Sequence, residues 1–177
     1  AARGDERSLE ARYVERFAGQ TVERLLIVSP YWDHDLAALR WLIATLNPLQ
    51  TVVILQEQHG QFPAHAAHDL GLLIVRPPPE VGPRFLHAKL IIATANGSDH
   101  VLIGSANCTT AALGYAEREG PNGEACIYKR LPAGAVFQSL NLDKALEAAP
   151  ISIGAIPPYA PAASIPLGQL SGRSPGE

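Results

Sequence analysis

Three short apolar runs constrain this chain most. Leu25-Leu26-Ile27-Val28, Val52-Val53-Ile54-Leu55 and Leu72-Leu73-Ile74-Val75 are each four residues long and contain no polar side chain. A strand with one face in water alternates apolar and polar residues, whereas an unbroken run needs cover on both faces. Ser29-Pro30 closes the first run, and Pro77-Pro78-Pro79 follows the third, where proline removes the ladder donor. Between the first two runs Leu36, Leu39, Leu42, Ile43 and Leu46 recur at helical spacing. Asp33 or Asp35 can cap that helix and Asn47-Pro48 stops it. Pro63 can open a short helix reaching about Leu70. Strand, helix, strand, helix, strand predicts a parallel α/β unit with right-handed crossovers.

Ahead of that unit, Leu9, Tyr13, Val14 and Phe17 mark a first amphipathic helix over about residues 5–18, ended by Gly19. Behind it the pattern changes. Residues 85–94 and 100–105 are two extended runs joined by Ala95-Asn96-Gly97-Ser98-Asp99, and Asn-Gly between apolar runs is a strong hairpin signal. A short helix at 109–113, a polar loop at 117–120, a strand at 125–128 and a helix at 135–148 follow. From Pro150 onward Pro, Ala, Gly and Ser dominate with little periodicity. The expected fold class is therefore α/β, with a mixed, mostly parallel sheet flanked by helices. One domain is expected over 1–149, its first 20 residues holding the N-terminal helix, with a tail or linker over 150–177.

Composition sets outer limits. The 177 residues are 47% apolar and 18% charged, with net charge −3 and pI ≈ 6.1. That is enough apolar material for one sizeable core, and it excludes a disordered chain, a collagen-like chain and a basic arm that coats nucleic acid by charge alone. No apolar run approaches the roughly 20 residues that span a bilayer. The start, Ala1-Ala2-Arg3-Gly4-Asp5, lacks a charged-then-apolar signal segment, so a cytoplasmic protein without a membrane partner is expected. Met is absent, initiator included, which points to a domain of a longer parent chain or to a processed start. Cys108 and Cys126 are too few for a disulfide framework and form no Cys-x-x-Cys; no metal or other cofactor is expected.

The chemistry concentrates in Phe85-Leu86-His87-Ala88-Lys89-Leu90-Ile91-Ile92 and, after the hairpin, Gly104-Ser105-Ala106-Asn107. On an extended chain His87 and Lys89 project from one face, while Leu86, Ala88, Leu90 and Ile92 project from the other. Two polar side chains on one face of an apolar strand are costly unless they face a cleft or find partners. The returning strand can bring Ser105 and Asn107 to the same place. A neutral imidazole is a nucleophile or proton carrier near pH 7, an ammonium is a compact charge for a phosphate oxygen, and a hydroxyl and an amide add neutral donors. The set suits attack on a phosphodiester.

His87-x-Lys89, then Gly104-Ser105-x-Asn107, then Asn122-x-Glu124 resembles the signature of the phospholipase D superfamily. The resemblance spans about residues 22–148, including the strand end Ser29-Pro30-Tyr31. It implies a phospholipase D-like fold and a metal-independent reaction. It also implies a His nucleophile that forms a covalent phosphohistidine, and a second His, from a second motif copy, that protonates the leaving oxygen and then activates water. His87 matches the nucleophile or acid, Lys89 and Asn107 the phosphate binders, Ser105 the hydroxyl, and Glu124 the carboxylate that orients the His. Two departures stand out. The Asp that the family places five residues after the Lys is Thr94 here, with Asp99 a possible replacement across a longer hairpin. The chain also carries one motif copy, so a complete site needs a two-fold dimer or a second motif elsewhere in the parent chain.

Each residue also has a plain structural reading. His87 can be a satisfied structural histidine, Ser105 and Asn107 can cap the helix near Thr109, and Glu124 can be a surface acid at a strand start. His59, His65 and His68, with Glu57 and Asp69 nearby, read as solvated histidines rather than a metal site. Tyr31 and Trp32, at the carboxyl end of the first strand, can stack on a base or ribose or pack in the core. Arg76, Arg84, Lys129 and Arg130 can rim a polyanion site or simply be solvated. The cysteines read as small buried side chains.

The leading expectation is a phosphodiesterase, a DNA nuclease working as a homodimer through phosphohistidine. One rival is a phospholipid-hydrolysing enzyme of the same fold. The other is a non-catalytic module that binds nucleic acid or dimerises within a larger restriction or defence protein.

Overall fold

In a computed structural model, residues 7–56, 62–81, 86–115 and 118–158 are described. Six strands form one sheet: β1 Val22–Val28, β2 Gln50–Ile54, β3 Leu73–Val75, β4 Leu90–Ala95, β5 Ser98–Gly104 and β6 Cys126–Pro132, in the order β3-β2-β1-β4-β5-β6. The helices are α1 Leu9–Val14, α2 Ala37–Leu46, α3 Thr110–Leu113, α4 Ala135–Ser139 and α5 Leu142–Glu147.

The three apolar runs lie side by side and pair in parallel, Leu26 against Val52 and Val53 against Ile74. Their period-two alternation splits the core. Leu25, Ile27, Val53, Ile74, Ile91 and Leu102 pack on one face with Tyr13, Phe17, Leu39 and Leu42. Leu26, Val28, Val52, Ile54, Leu90, Ile92 and Val101 pack on the other beneath Val136, Phe137, Leu142 and Ala145. Side chains such as Leu25, Leu26 and Ile27 are fully buried, each contributing about 1.5–3 kcal/mol by leaving water. The α/β class and mixed sheet stand as expected. The balance does not: β4 joins β1 antiparallel, and the β4–β5 and β5–β6 pairs are antiparallel too. A tight turn reverses the chain between β4 and β5, and the longer return through α3 brings β6 back antiparallel to β5, so only the two crossover-linked pairs are parallel.

The hairpin turns at Asn96 and Gly97, both left-handed, as a two-residue turn that matches strand twist requires. Thr94 stands opposite Asp99 in its ladder, and its hydroxyl donates to Asp99 Oδ1 at 2.9 Å. Asp99 Oδ2 accepts from the Gly134 N–H at 2.8 Å, so one fully buried carboxylate ties the hairpin to the start of α4.

Other segments differ from the sequence expectation. The first helix passes into a 3-10 turn, Glu15–Phe17, after Val14. The segment after Pro63 forms only the 3-10 turn Ala64–Ala66, because Arg40 of α2 takes the Ala66 carbonyl at 2.6 Å and the Asp69 carboxylate at 2.7 and 2.8 Å. The helix expected over 135–148 divides at Asn141, which is left-handed, so that both halves turn apolar side chains to the sheet. The Pro-rich segment begins by packing: the Ile151 N–H donates to the Ile74 carbonyl at 2.7 Å, and Ile151 and Ile156 are buried. Glu57, His59, Arg84, Phe85 and Glu117 lie outside the described residues.

Candidate active site

The register gathers the motif at one end of the sheet. Val28, last in β1, pairs with Leu90, first in β4, and Gly104, last in β5, pairs with Cys126, first in β6. His87 and Lys89 thus precede β4 at the end where β1 runs into Ser29-Pro30-Tyr31 and β5 into Ser105. They lie beyond the last β1–β4 pair, Val28 with Leu90, while on the β5 side the Lys89 carbonyl still accepts from the Gly104 N–H at 3.4 Å. The Gln56 side-chain carbonyl holds their approach by accepting from the Leu86 N–H at 2.7 Å, a role with no marker in the sequence.

Lys89 is buried to 9% exposure and folds back onto the exposed His87. Its Nζ lies 2.9 Å from Nδ1 and 3.0 Å from Nε2 of that ring and donates to the His87 carbonyl at 3.1 Å. An ammonium has no acceptor, so whichever ring nitrogen it engages must accept. Burial lowers the Lys89 pKa from its ordinary value, partly offset by the Glu124 carboxylate. The Tyr31 ring stands edge-on to the imidazole with centroids 6.1 Å apart.

Ser105 and Glu124 meet directly: the Ser105 hydroxyl donates to Glu124 Oε2, while the Asn122 amide donates to Oε1 at 3.3 Å. Ser105 Oγ also accepts from the Ala125 N–H at 2.9 Å, which fastens the end of β5 to the start of β6. Gly104 explains its place in the motif. A Cβ there would lie 2.2 Å from the Ala125 carbonyl oxygen and 2.7 Å from Cys126 Cα, too close for any side chain.

Asn107 follows on a segment secured from two sides. The Cys108 N–H donates to Ser29 Oγ at 2.9 Å, and Ser29 Oγ–H donates to the Tyr31 carbonyl at 2.7 Å. Asp33 accepts from the Thr110 N–H and hydroxyl at 3.0 Å and from the Ala38 N–H at 3.0 Å, serving the first turns of α3 and α2 together. Thr109 caps α3, its hydroxyl accepting from the Ala112 N–H at 3.3 Å. Asn107 Oδ1 is buried with no donor among the described residues. Sequence reading marked Asp33 only as a cap for α2; its hold on α3, 77 residues away, has no local signal.

Of the remaining candidates, Trp32 is buried against Phe62 and Tyr31 is exposed. The His65 ring lies 4.6 Å from His34, and among the described residues no three His, Cys, Asp or Glu side chains gather as metal ligands. Arg76 is exposed on its loop, and Arg130 Nε donates to Ser98 Oγ at 3.1 Å. Cys108 is buried and Cys126 half-buried, both as free thiols. No helix among the described residues is long and apolar enough to cross a membrane.

Among solved structures, the chain is similar to a crystal structure of yeast tyrosyl-DNA phosphodiesterase, at 18% identity and a TM-score of 0.41; the likeness covers 68% of this chain and 29% of that one. No protein-family model and no curated protein matches the chain.

Proposed function

We propose that this chain is a phosphodiesterase of the phospholipase D kind that cleaves DNA through a phosphohistidine and completes its site with a second copy of itself. The observation that carries the reading is the buried Lys89 ammonium lying within 3.0 Å of both ring nitrogens of the exposed His87, beside the Ser105–Glu124 pair. A desolvated cation next to an exposed imidazole is what a phosphoryl group needs: its oxygens take over the Lys89 N–H now given to the ring, which frees the ring lone pair for phosphorus.

In the first step a ring nitrogen of His87 attacks phosphorus in line. The P–N bond forms as the P–O bond to the leaving alcohol breaks, and the imidazolium of the partner's His87 gives its proton to the leaving oxygen. In the second step that imidazole, now neutral, takes a proton from water, whose oxygen displaces the phosphoryl group from His87. Lys89 and the Asn107 amide hold the non-bridging oxygens throughout.

The need for a second copy follows from the single motif, since one imidazole cannot attack and protonate the leaving group at once. Exposed apolar side chains support that partner. Ile103 and Ile127 pair across β5 and β6 at the site end of the sheet, and Tyr31 borders His87.

The test is cleavage of plasmid DNA by the chain and by His87→Ala, with EDTA present, alongside light scattering to determine mass. Cleavage by the parent as a dimer, lost in the folded variant, supports the reading. Undiminished cleavage by His87→Ala removes His87 as nucleophile. An active monomer removes the shared site.

A further inference from the structure

A second feature lies on the α1 face of the sheet, beside the β6 edge. Arg12 and Arg16, one helical turn apart, line a cavity of about 150 Å³ floored by Leu102, Cys126 and Tyr128. Both arginines face the same space, and like charges at this spacing disfavour each other. Neither forms an ion pair among the described residues: the neighbouring Glu15 is taken by Arg7. Arg12 Nε is buried and has no acceptor among the described residues, a costly state for a charged donor. The Arg16 guanidinium sits 4.7 Å over the Tyr128 ring, which fixes the plane and leaves its N–H edges free to donate. The cavity is too small for a nucleotide, given ligand pockets of roughly 300–1,000 Å³, but it suits one tetrahedral anion.

Its position connects it to the catalytic end. Cys126 follows Ala125, whose N–H binds Ser105, and the floor runs from there to Tyr128, about 7 Å along the strand.

We infer that Arg12 and Arg16 form a second phosphate subsite, which takes a backbone phosphate of the polynucleotide strand whose scissile phosphate stands at His87 and Lys89. This rests on the proposed reading of the catalytic end. Phosphate contacts of this kind set register and affinity rather than sequence preference.

The experiment measures binding without turnover. In the full-chain His87→Ala protein, the affinity of a fluorescent single-stranded 12-mer DNA is followed against salt. The same is done after adding Arg12→Gln with Arg16→Gln, and separately Arg12→Lys with Arg16→Lys. The glutamine pair should weaken binding at least tenfold at low salt and flatten the log–log salt slope by about 0.7 to 1.4, as expected for one or two lost phosphate contacts. The lysine pair should keep the slope, a result that a merely structural role for the arginines would not give. Equal affinity and slope in the glutamine pair, or no binding of the 12-mer by the His87→Ala parent, overturns the subsite. Failure of the catalytic reading is seen separately, as absence of plasmid cleavage by the unsubstituted chain, and leaves the binding result readable.

Discussion

The Nζ of Lys89 lies almost equidistant from the two ring nitrogens of His87, at 2.9 and 3.0 Å. Two residues apart, the side chains meet where the chain runs up to the start of β4, the buried Lys89 folding back over the exposed His87. The contact both orients the ring and holds a positive charge against the place where a nucleophile would act.

Replacing that charge while keeping the stem tests its role. Lys89→Met should lower DNA cleavage by about 10²–10³, the range seen when one preorganised donor to a developing negative charge is lost. Circular dichroism should remain that of the parent. Cleavage within twofold of the parent would count against Lys89 as a phosphate contact.

Gly104→Ala should damage the end of the sheet, because its methyl group would overlap the Ala125 carbonyl oxygen at 2.2 Å. The expected cost is about 3 kcal/mol, at the upper end for overpacking, since the obstructing atom is backbone and cannot rotate away. Denaturant unfolding measures it. Gly123→Ala, where nothing lies within 4 Å of the added Cβ, is the control and should cost little.

Asp33→Ala removes the acceptor for the first turns of both α2 and α3. At about 1 kcal/mol for each cap, a loss near 2 kcal/mol is expected, and Asp33→Asn, whose amide offers one acceptor oxygen in place of two, should lose about half of that. Because α3 begins three residues after Asn107, cleavage should fall more than stability alone accounts for. A parent-like KM and kcat in Asp33→Ala at a temperature where it is fully folded would show that the clamp is only structural.

Glu10 gives the chain a definite pH dependence. It is buried, both carboxylate oxygens lack partners among the described residues, and its pKa is pushed up from 4.5 to about 9, first by burial and then by the nearby Asp33. A carboxyl whose folded pKa is raised binds a proton more tightly in the native state than in the unfolded one. Its contribution to stability therefore falls as pH rises from about 4.5 to about 9 and is level beyond. Glu10→Gln should match the parent near pH 4 and exceed it at pH 7 by about 3 kcal/mol. The other titratable groups facing it are Asp33 and Cys108, whose thiol pKa is raised first by burial and then by Glu10, where ionised, and Asp33. Thermal melts at pH 4, 7 and 9 that show no widening gap would refute this assignment.

The grouping of the candidate residues is legible in the sequence. His87, Lys89, Gly104, Ser105 and Asn107 are close in the chain, and a hairpin announced by Asn96-Gly97 is enough to bring their two runs together. The partners that hold them were not legible. Gln56, Ser29 and Asp33 act across separations of 30, 79 and 77 residues, and nothing in their local pattern marks the contact. The exchange of the usual Asp for Thr94 was visible as a departure. That Thr94 donates to Asp99 directly across the ladder, and that Asp99 reaches Gly134 as well, depends on register.

From the order of its residues alone, this chain determined its class, its buried strands, its hairpin and the gathering of polar side chains at the end of that hairpin. These depend on alternation, turn residues and short-range spacing, which are local quantities. Tertiary structure decided the antiparallel majority of the sheet, the division of the last helix at Asn141, the turn in place of a helix after Pro63, and the burial of Glu10 and Lys89. Each of those outcomes turns on which distant surface a segment meets, and the free energy of that meeting exceeds the weak preferences of the segment itself.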